Sequence, residues 1–109
     1  MKQFEIWWAR LPEPVGRRPV LLLTRSAAFG YLNRVLVAEV TTTIRRIPQE
    51  VTLGRREGLS RNCVVNLDAL RPISIDHLES LIGRVAQRRQ LEIKRALGHV
   101  LHWPELTSL

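Results

Sequence analysis

The stretch from Gly16 to Thr24 reads Gly-Arg-Arg-Pro-Val-Leu-Leu-Leu-Thr, and the rest of the chain is interpreted outward from it. Its unbroken apolar run predicts a strand covered on both faces, because a strand with one face in water alternates apolar and polar residues. Proline is tolerated at the first position of a strand. Arg18 therefore lies where a rigid strand meets solvent and is placed to reach a ligand, although a snorkelling arginine that caps the strand is the plainer interpretation of this stretch alone.

The composition describes a small basic chain. With 109 residues, 45% of them hydrophobic, the chain suffices for one core, and we predict a single domain over residues 1–109. Its 17 Lys and Arg against 10 Asp and Glu give a net charge of +7, which suits a polyanionic partner such as nucleic acid or an acidic protein. Fifteen of those seventeen cations are Arg, which favours bidentate phosphate binding, although a GC-rich genome produces the same bias.

The cysteine content and the N-terminal residues indicate the cellular compartment of the protein. Cys63 is the only cysteine, so an intrachain disulfide is excluded, and its apolar neighbours Val64 and Val65 indicate a small buried residue. The first residues lack the apolar core of a signal peptide, and no stretch is long enough to span a membrane. We therefore expect a cytoplasmic protein that makes no use of a membrane.

Strands occupy the first part of the chain. The segment 4–9 alternates with the period of a strand, and a turn with two prolines leads from it into the strand after Gly16. Trp7 and Trp8 in the first strand face opposite ways, so at least one of them packs in the core while the other is free to stack on a base. Further strands are predicted over 35–44, 51–53 and 63–67.

Helices are predicted for the last part of the chain. Over 76–85, Asp76 and Glu79 resemble a capping box and apolar residues recur at helical spacing. Over 86–101 an apolar face lies opposite a solvated face with Arg88, Arg89 and Arg95. Strands followed by helices point to a small α+β fold built on a curled antiparallel sheet.

Several classes of chemistry find no support in the sequence. A P-loop, a Rossmann glycine pattern and a nucleophile elbow are all missing, which disfavours nucleotide cofactors and serine hydrolysis. His77 stands alone, and His99 and His102 have no nearby carboxylate or thiol to complete a metal site. We predict neither a metal nor another cofactor.

Three segments in a fixed order resemble the MazF/PemK family of toxin endoribonucleases. The order of three features is specific to this family: an Arg-Pro-Val motif, then a threonine-rich strand, then a Pro-x-Glu-Val motif. The segments are Glu5-Ile6-Trp7-Trp8-Ala9, Gly16 to Thr24, and Val40 to Val51. Later stretches, Cys63 to Asp68 and Arg95-Ala96-Leu97, extend the resemblance to roughly the whole chain.

The resemblance implies an SH3-like antiparallel β-barrel of the CcdB/PemK type with C-terminal helices. It also implies a homodimer that cleaves single-stranded RNA without a metal and is inhibited by a small antitoxin. The family's catalytic arginine, in the Arg-Pro motif, corresponds to Arg18. Its catalytic threonine or serine, seven residues before the proline of the Pro-x-Glu-Val motif, corresponds to Thr41, with Thr42 as the fallback if the alignment slips by one.

The chemistry of RNA cleavage needs these residue types. Attack of a ribose 2′-OH on the neighbouring phosphate builds negative charge that a fixed guanidinium stabilises, and a threonine hydroxyl can donate to a phosphoryl oxygen. The general base is open: the family is described as using its arginine, but a guanidinium with a pKa above about 12 gives up its proton with difficulty. Glu39 lies two residues before Thr41 and is an alternative general base. We prefer an ordinary surface role for Glu39 over this catalytic one.

We predict that six further arginines contact RNA, namely Arg17, Arg25, Arg45, Arg46, Arg55 and Arg56. Compared with many relatives, the chain has only a short Pro12 to Gly16 turn before the Arg-Pro motif. The preferred RNA sequence therefore stays open, as does the choice among mRNA, tRNA and rRNA.

Two other functions compete with RNA cleavage: a non-catalytic toxin that binds a protein, as CcdB relatives bind gyrase, and an RNA-binding barrel without catalysis.

Overall fold

A computed structural model describes all residues 1–109 as an antiparallel sheet followed by two helices. The α+β architecture with C-terminal helices is therefore confirmed. The sheet has six strands in the order β4-β5-β3-β2-β1-β6. The elements are β1 Glu5–Arg10, β2 Arg17–Leu22, β3 Arg34–Thr41, β4 Glu50–Leu53, β5 Cys63–Ser74, β6 Leu78–Arg84, α1 Gln90–Leu101 and α2 Pro104–Thr107.

The apolar run of β2 is buried on both faces of the sheet, as predicted. Val20, Leu21 and Leu22 have no exposed surface. Leu21 belongs to the larger core, which is closed by Ile93 and Ala96 of α1. Val20 and Leu22 point to the opposite face, into a second core. The predicted double coverage of this strand is confirmed, and it holds the backbone around Arg18 from both sides.

The helix predicted over 76–85 is wrong, because this segment forms strand β6. The Ser74 hydroxyl accepts a hydrogen bond from the backbone N–H of Asp76, so the supposed capping box is a single 3₁₀ turn, Ile75–His77. The chain then extends and pairs with β1. The apolar residues of this segment fit the period of a strand as well as that of a helix. Strand pairing decides between the two, because without β6 the outer edge of β1 would be left unpaired.

Two glycines allow the curled sheet to bring its edges together. Gly83 of β6 lies against the turn that follows β4, and a Cβ added to it would stand 2.0 Å from the carbonyl oxygen of Glu57. Gly58 faces it with φ +93, a conformation that side chains rarely adopt. The sheet is thus curled like a barrel, while its edge strands β4 and β6 are not hydrogen-bonded to each other.

Other boundaries differ from the sequence predictions by a few residues. Strand β3 ends at Thr41 rather than at 44, and β5 continues to Ser74 rather than ending at 67. The last long helix begins at Gln90, after a 3₁₀ turn over Gln87–Arg89. Neither α1 nor α2 has the length and apolar character needed to cross a membrane.

Candidate active site

A groove of about 410 Å³ lies where β2 and β3 meet the loop 54–62, and we call it the main groove. It brings Arg18 of β2 next to Thr41 of β3, although the two residues are distant in sequence. Its lining contains three arginines and no carboxylate. The lining residues used below are Trp8, Arg17, Arg18, Thr41, Leu59 and Arg61. The groove therefore offers a cationic surface with an apolar floor.

Arg18 is fixed at the wall of this groove by Glu39. Its Nη1 donates to Glu39 Oε1 at 3.1 Å, and Arg71 Nη2 lies 2.8 Å from the other oxygen, Oε2. Glu39 is only 8% exposed, so the surface role that we preferred for it is wrong. The rest of the Arg18 fork makes no other hydrogen bond and is available to a ligand. The carboxylate thus orients the guanidinium.

Thr41 is the last residue of β3 and lies beside Arg18. Its Oγ1 accepts a hydrogen bond from the backbone N–H of Thr43 at 3.2 Å. This bond uses a lone pair, so the hydroxyl proton stays free to be donated to a ligand oxygen. Thr42, the fallback residue, also lines the main groove and is exposed.

A smaller groove of about 240 Å³ lies on the other side of Arg18 and Thr41, and we call it the side groove. Both residues line both grooves, so they form the wall between them. The remaining polar side chains of the side groove are Glu39, Thr43, Arg45 and Asn66. The site is therefore bipartite, with the Arg18 and Thr41 pair at its centre.

One edge of the main groove is formed by Trp8 and Arg17. The Arg17 guanidinium lies 4.1 Å from the centre of the Trp8 ring, a cation–π contact. Glu79 Oε1 accepts from Arg17 Nε at 2.8 Å and Glu79 Oε2 from Arg10 Nη2 at 3.1 Å, and these hydrogen bonds lower the pKa of Glu79. Trp7 is half-buried and packs against the second core instead, so the tryptophan expected in the core lies at its edge.

The opposite wall, the loop 54–62, is anchored to α1 by a buried ion pair. Glu57 Oε1 accepts from the backbone N–H of Gly54 at 2.7 Å, and Glu57 Oε2 lies 3.1 Å from Arg89 Nη1. Arg89 also donates to the carbonyl of Thr52 and to Glu92, and the Glu92 hydrogen bond raises the pKa of Arg89. We predicted Arg89 on a solvated face. That prediction is wrong, because Arg89 turns inward to neutralise a carboxylate that is 4% exposed.

Other reactive side chains are arranged without an evident catalytic role. Cys63 is buried at the floor of the main groove, as predicted, and burial raises the pKa of its thiol, which disfavours the nucleophilic thiolate. His, Cys, Asp and Glu side chains form no group of three or more that could hold a metal ion.

Comparison with known proteins identifies the family. Residues 2–101 match the model of the PemK-like, MazF-like toxin of type II toxin-antitoxin systems. The chain belongs to the MazF/PemK toxin family. It is 43% identical over 94 residues to the probable endoribonuclease MazF5 of Mycobacterium tuberculosis, with 85% of each chain covered.

Solved structures of MazF proteins share the fold. The Mycobacterium tuberculosis toxin MazF-mt6 superposes with a TM-score of 0.85 at 32% identity, covering 90% of this chain and 96% of that one. A mycobacterial endoribonuclease in complex with its cognate antitoxin gives a TM-score of 0.83 at 25% identity, covering 95% of this chain and 97% of that one. The resemblance first seen in the sequence motifs is therefore confirmed over nearly the whole chain.

The arginines that we predicted as RNA contacts of this MazF/PemK member do not all lie at the two grooves. Arg17 lines the main groove and Arg45 the side groove. Arg25 and Arg46 line neither. Arg25 instead donates to the Tyr31 hydroxyl at 2.6 Å, near the 3₁₀ turn that follows β2. The exposed pair Arg55 and Arg56 lines a separate pocket beside Arg89.

The structure also adds residues that the sequence interpretation left out. Arg61 lies in the same loop as Arg55 and Arg56, two of the predicted RNA contacts, so its position at the main groove had a signal in the sequence. Arg71 and Asn66 had none, because both lie on β5 and reach the site only through its pairing with β3. Their contribution depends on contacts between distant segments.

Proposed function

We propose that this chain is the toxin of a type II toxin-antitoxin system and cleaves single-stranded RNA at the wall between the two grooves. The observation that carries the proposal is the juxtaposition of Arg18 and Thr41 in a cationic groove without carboxylates. The relatives named endoribonuclease support the reaction class. The nucleophile in this proposal is the ribose 2′-OH of the substrate, attacking the adjacent phosphate.

Arg18 has the central role in this reaction. Negative charge grows on the phosphorane oxygens and on the departing 5′ oxygen, and a guanidinium that is already oriented stabilises it without reorganising. Glu39 and the β2 backbone provide that orientation in the free protein. Because Glu39 has one oxygen on Arg18 and the other on Arg71, we assign it to positioning and not to proton transfer.

Thr41 supplies a second, neutral contact. Its hydroxyl donates to a phosphoryl oxygen while its oxygen stays bonded to the N–H of Thr43, so the direction of the donated proton is restricted. Arg17 and Arg61 on the rims of the main groove attract the neighbouring phosphates of the strand. Trp8 lies at the same edge, and a base can stack on its ring where the Arg17 guanidinium does not cover it.

The partners follow from the family and the charge. One related structure is an endoribonuclease in complex with its cognate antitoxin. We propose that a small acidic antitoxin occludes the grooves of this chain, which carries a net charge of +7. We also propose that the toxin acts as a homodimer in the cytoplasm. Light scattering at micromolar concentration checks the dimer.

Incubation of the purified protein with RNA in EDTA tests the reaction. We expect discrete cleavage, products ending in a 2′,3′-cyclic phosphate and a 5′-OH, and no cleavage of an oligonucleotide with a single 2′-deoxy substitution at the scissile position. Phosphate-driven binding of that oligonucleotide should persist. Cleavage of the 2′-deoxy substrate at an unchanged rate would refute the mechanism. Binding without any cleavage would favour a non-catalytic RNA-binding barrel.

A further inference from the structure

The side groove has no role in the chemistry described so far, yet it is built into the sheet. Strand β5 leaves its ladder with β3 between the pairs Ala38–Leu70 and Glu39–Asn66, so three residues, Leu67 to Ala69, have no partner on β3. This bulge forms one end of the groove through Ala69. Bulges of this kind redirect side chains and are common beside active sites.

The position of the side groove fits one nucleoside of a bound strand. A scissile phosphate held by Arg18 and Thr41 has one nucleoside on each side, and these two residues separate the two grooves. The main groove has the aromatic and apolar surface. The side groove, of about 240 Å³, has no aromatic residue and is lined almost entirely by polar groups. Polar groups of this kind read the edge of a base instead of stacking on its face.

The free polar groups of the side groove can all donate a hydrogen bond, and among them only the Thr43 hydroxyl can also accept one. The Oδ1 of Asn66 accepts from the N–H of Asp68 at 2.9 Å, which fixes the side-chain amide and leaves its Nδ2 to donate. The Arg45 guanidinium and the Thr43 hydroxyl make no hydrogen bond within the chain. The only carboxylate, Glu39, already has both oxygens on arginines.

We propose that the side groove binds the base next to the scissile phosphate and selects keto bases, uracil or guanine, over amino bases. Uracil O4 and guanine O6 are acceptors, whereas the equivalent edge positions of cytosine and adenine carry amino donors. An amino group facing Asn66 Nδ2 and Arg45 would place donor against donor. This selection rests on the proposed cleavage reaction and adds a specificity that the Arg18 and Thr41 pair does not provide.

Sequencing of cleaved ends tests the selection. Wild type and Asn66→Ser are incubated in EDTA with a pool of randomised short RNAs, and the fragments with 5′-OH ends and those with 2′,3′-cyclic phosphate ends are both sequenced. Serine keeps an oxygen for the Asp68 N–H but carries no amide into the groove. We expect wild type to enrich keto bases at one position flanking the cut by about fivefold, the value of one hydrogen bond. Asn66→Ser should lose this enrichment and keep the preference on the other side of the cut.

Two further variants keep the test decisive. Asn62→Ser is the matched control, because Asn62 is exposed in the loop 54–62 and lines neither groove, and its profile should equal that of wild type. Arg45→Met retains the backbone N–H bond to Glu50, removes the guanidinium donor and should weaken the same enrichment, which decides the question even if Asn66→Ser fails to fold. The keto selection alone is overturned if wild type shows no enrichment, or if both groove variants keep the enrichment of wild type. Intact RNA with wild type, or cleavage that survives Arg18→Ala, overturns the cleavage reaction and the selection together.

Discussion

The Arg18 guanidinium is held 3.1 Å from the carboxylate of Glu39, and the second carboxylate oxygen lies 2.8 Å from Arg71. The three side chains form a row across β2, β3 and β5. The arginine that we propose to contact the phosphate is therefore already oriented in the free protein. Preorganisation of this kind contributes to catalysis because no reorganisation is needed at the moment of reaction.

Glu39→Gln should separate positioning from binding. Glutamine keeps the size and one acceptor oxygen but removes the charge that orients Arg18. We expect kcat to fall by about 10- to 100-fold, because small displacements of a catalytic group have effects of that order, while KM changes little. Steady-state cleavage of a short RNA measures both constants. A variant with wild-type kcat, or one whose only change is a higher KM, would contradict the positioning role.

Arg18→Lys tests whether the fork itself is needed. Lysine keeps the positive charge but lacks the planar fork that engages two phosphate oxygens in parallel while another N–H stays on Glu39. We expect a loss of at least about 100-fold in cleavage rate and loss of growth arrest, with the fold intact. Arg34→Lys is the matched control, because Arg34 is also an arginine in a strand of the sheet but lies at the other end of β3 from Thr41. Equal toxicity of Arg18→Lys and wild type at equal expression would rule out bidentate contact.

Thr41 and its neighbour Thr42 can be distinguished by the same substitution at each position. Thr41→Val removes the hydroxyl, and we expect cleavage to slow by about 10- to 100-fold, the value of a hydrogen bond to a charged group. Thr41→Ser should restore most of the rate. Thr42→Val, which changes an exposed residue of the main groove, should have the smaller effect. The reverse order of the two valine variants in single-turnover rates would assign the role to Thr42.

The sequence was sufficient to predict the structure where local pattern determines it. The apolar run after Arg18 could only be a covered strand, and the motif order indicated Thr41. The sequence was insufficient where contacts between distant segments determine the structure. Leu78, Leu81 and Ile82 fit a helix, and only the open edge of β1 makes them a strand. Glu39 looked like a surface residue because its partner Arg71 reaches it through strand pairing alone.

Arg89 gives a prediction about stability that does not involve RNA. Its guanidinium bridges Glu57, Glu92 and the carbonyl of Thr52, and its side chain is 18% exposed. Removing it leaves Glu57 buried without its partner, so Arg89→Ala should lower the free energy of unfolding by about 2 to 3 kcal/mol. Arg88→Ala changes an exposed neighbour and should stay within about 0.5 kcal/mol of wild type. Urea denaturation at pH 7 provides the comparison, and equal effects of the two variants would contradict the anchoring role.

The same variant should also respond to pH in a defined direction. The hydrogen bonds from Arg89 lower the pKa of Glu92, so the ionised carboxylate is favoured in the folded state. A lowered pKa contributes stability that is present above the unfolded value, about 4.3 for glutamate, and is lost as pH falls through the folded value. The part of this contribution that comes from Arg89 is missing from Arg89→Ala at every pH, while the attraction of Arg95 remains. The difference in unfolding free energy between wild type and Arg89→Ala should therefore narrow below about pH 4. A difference that stays constant from pH 7 to pH 3 would show that the Glu92 bond adds nothing to the fold.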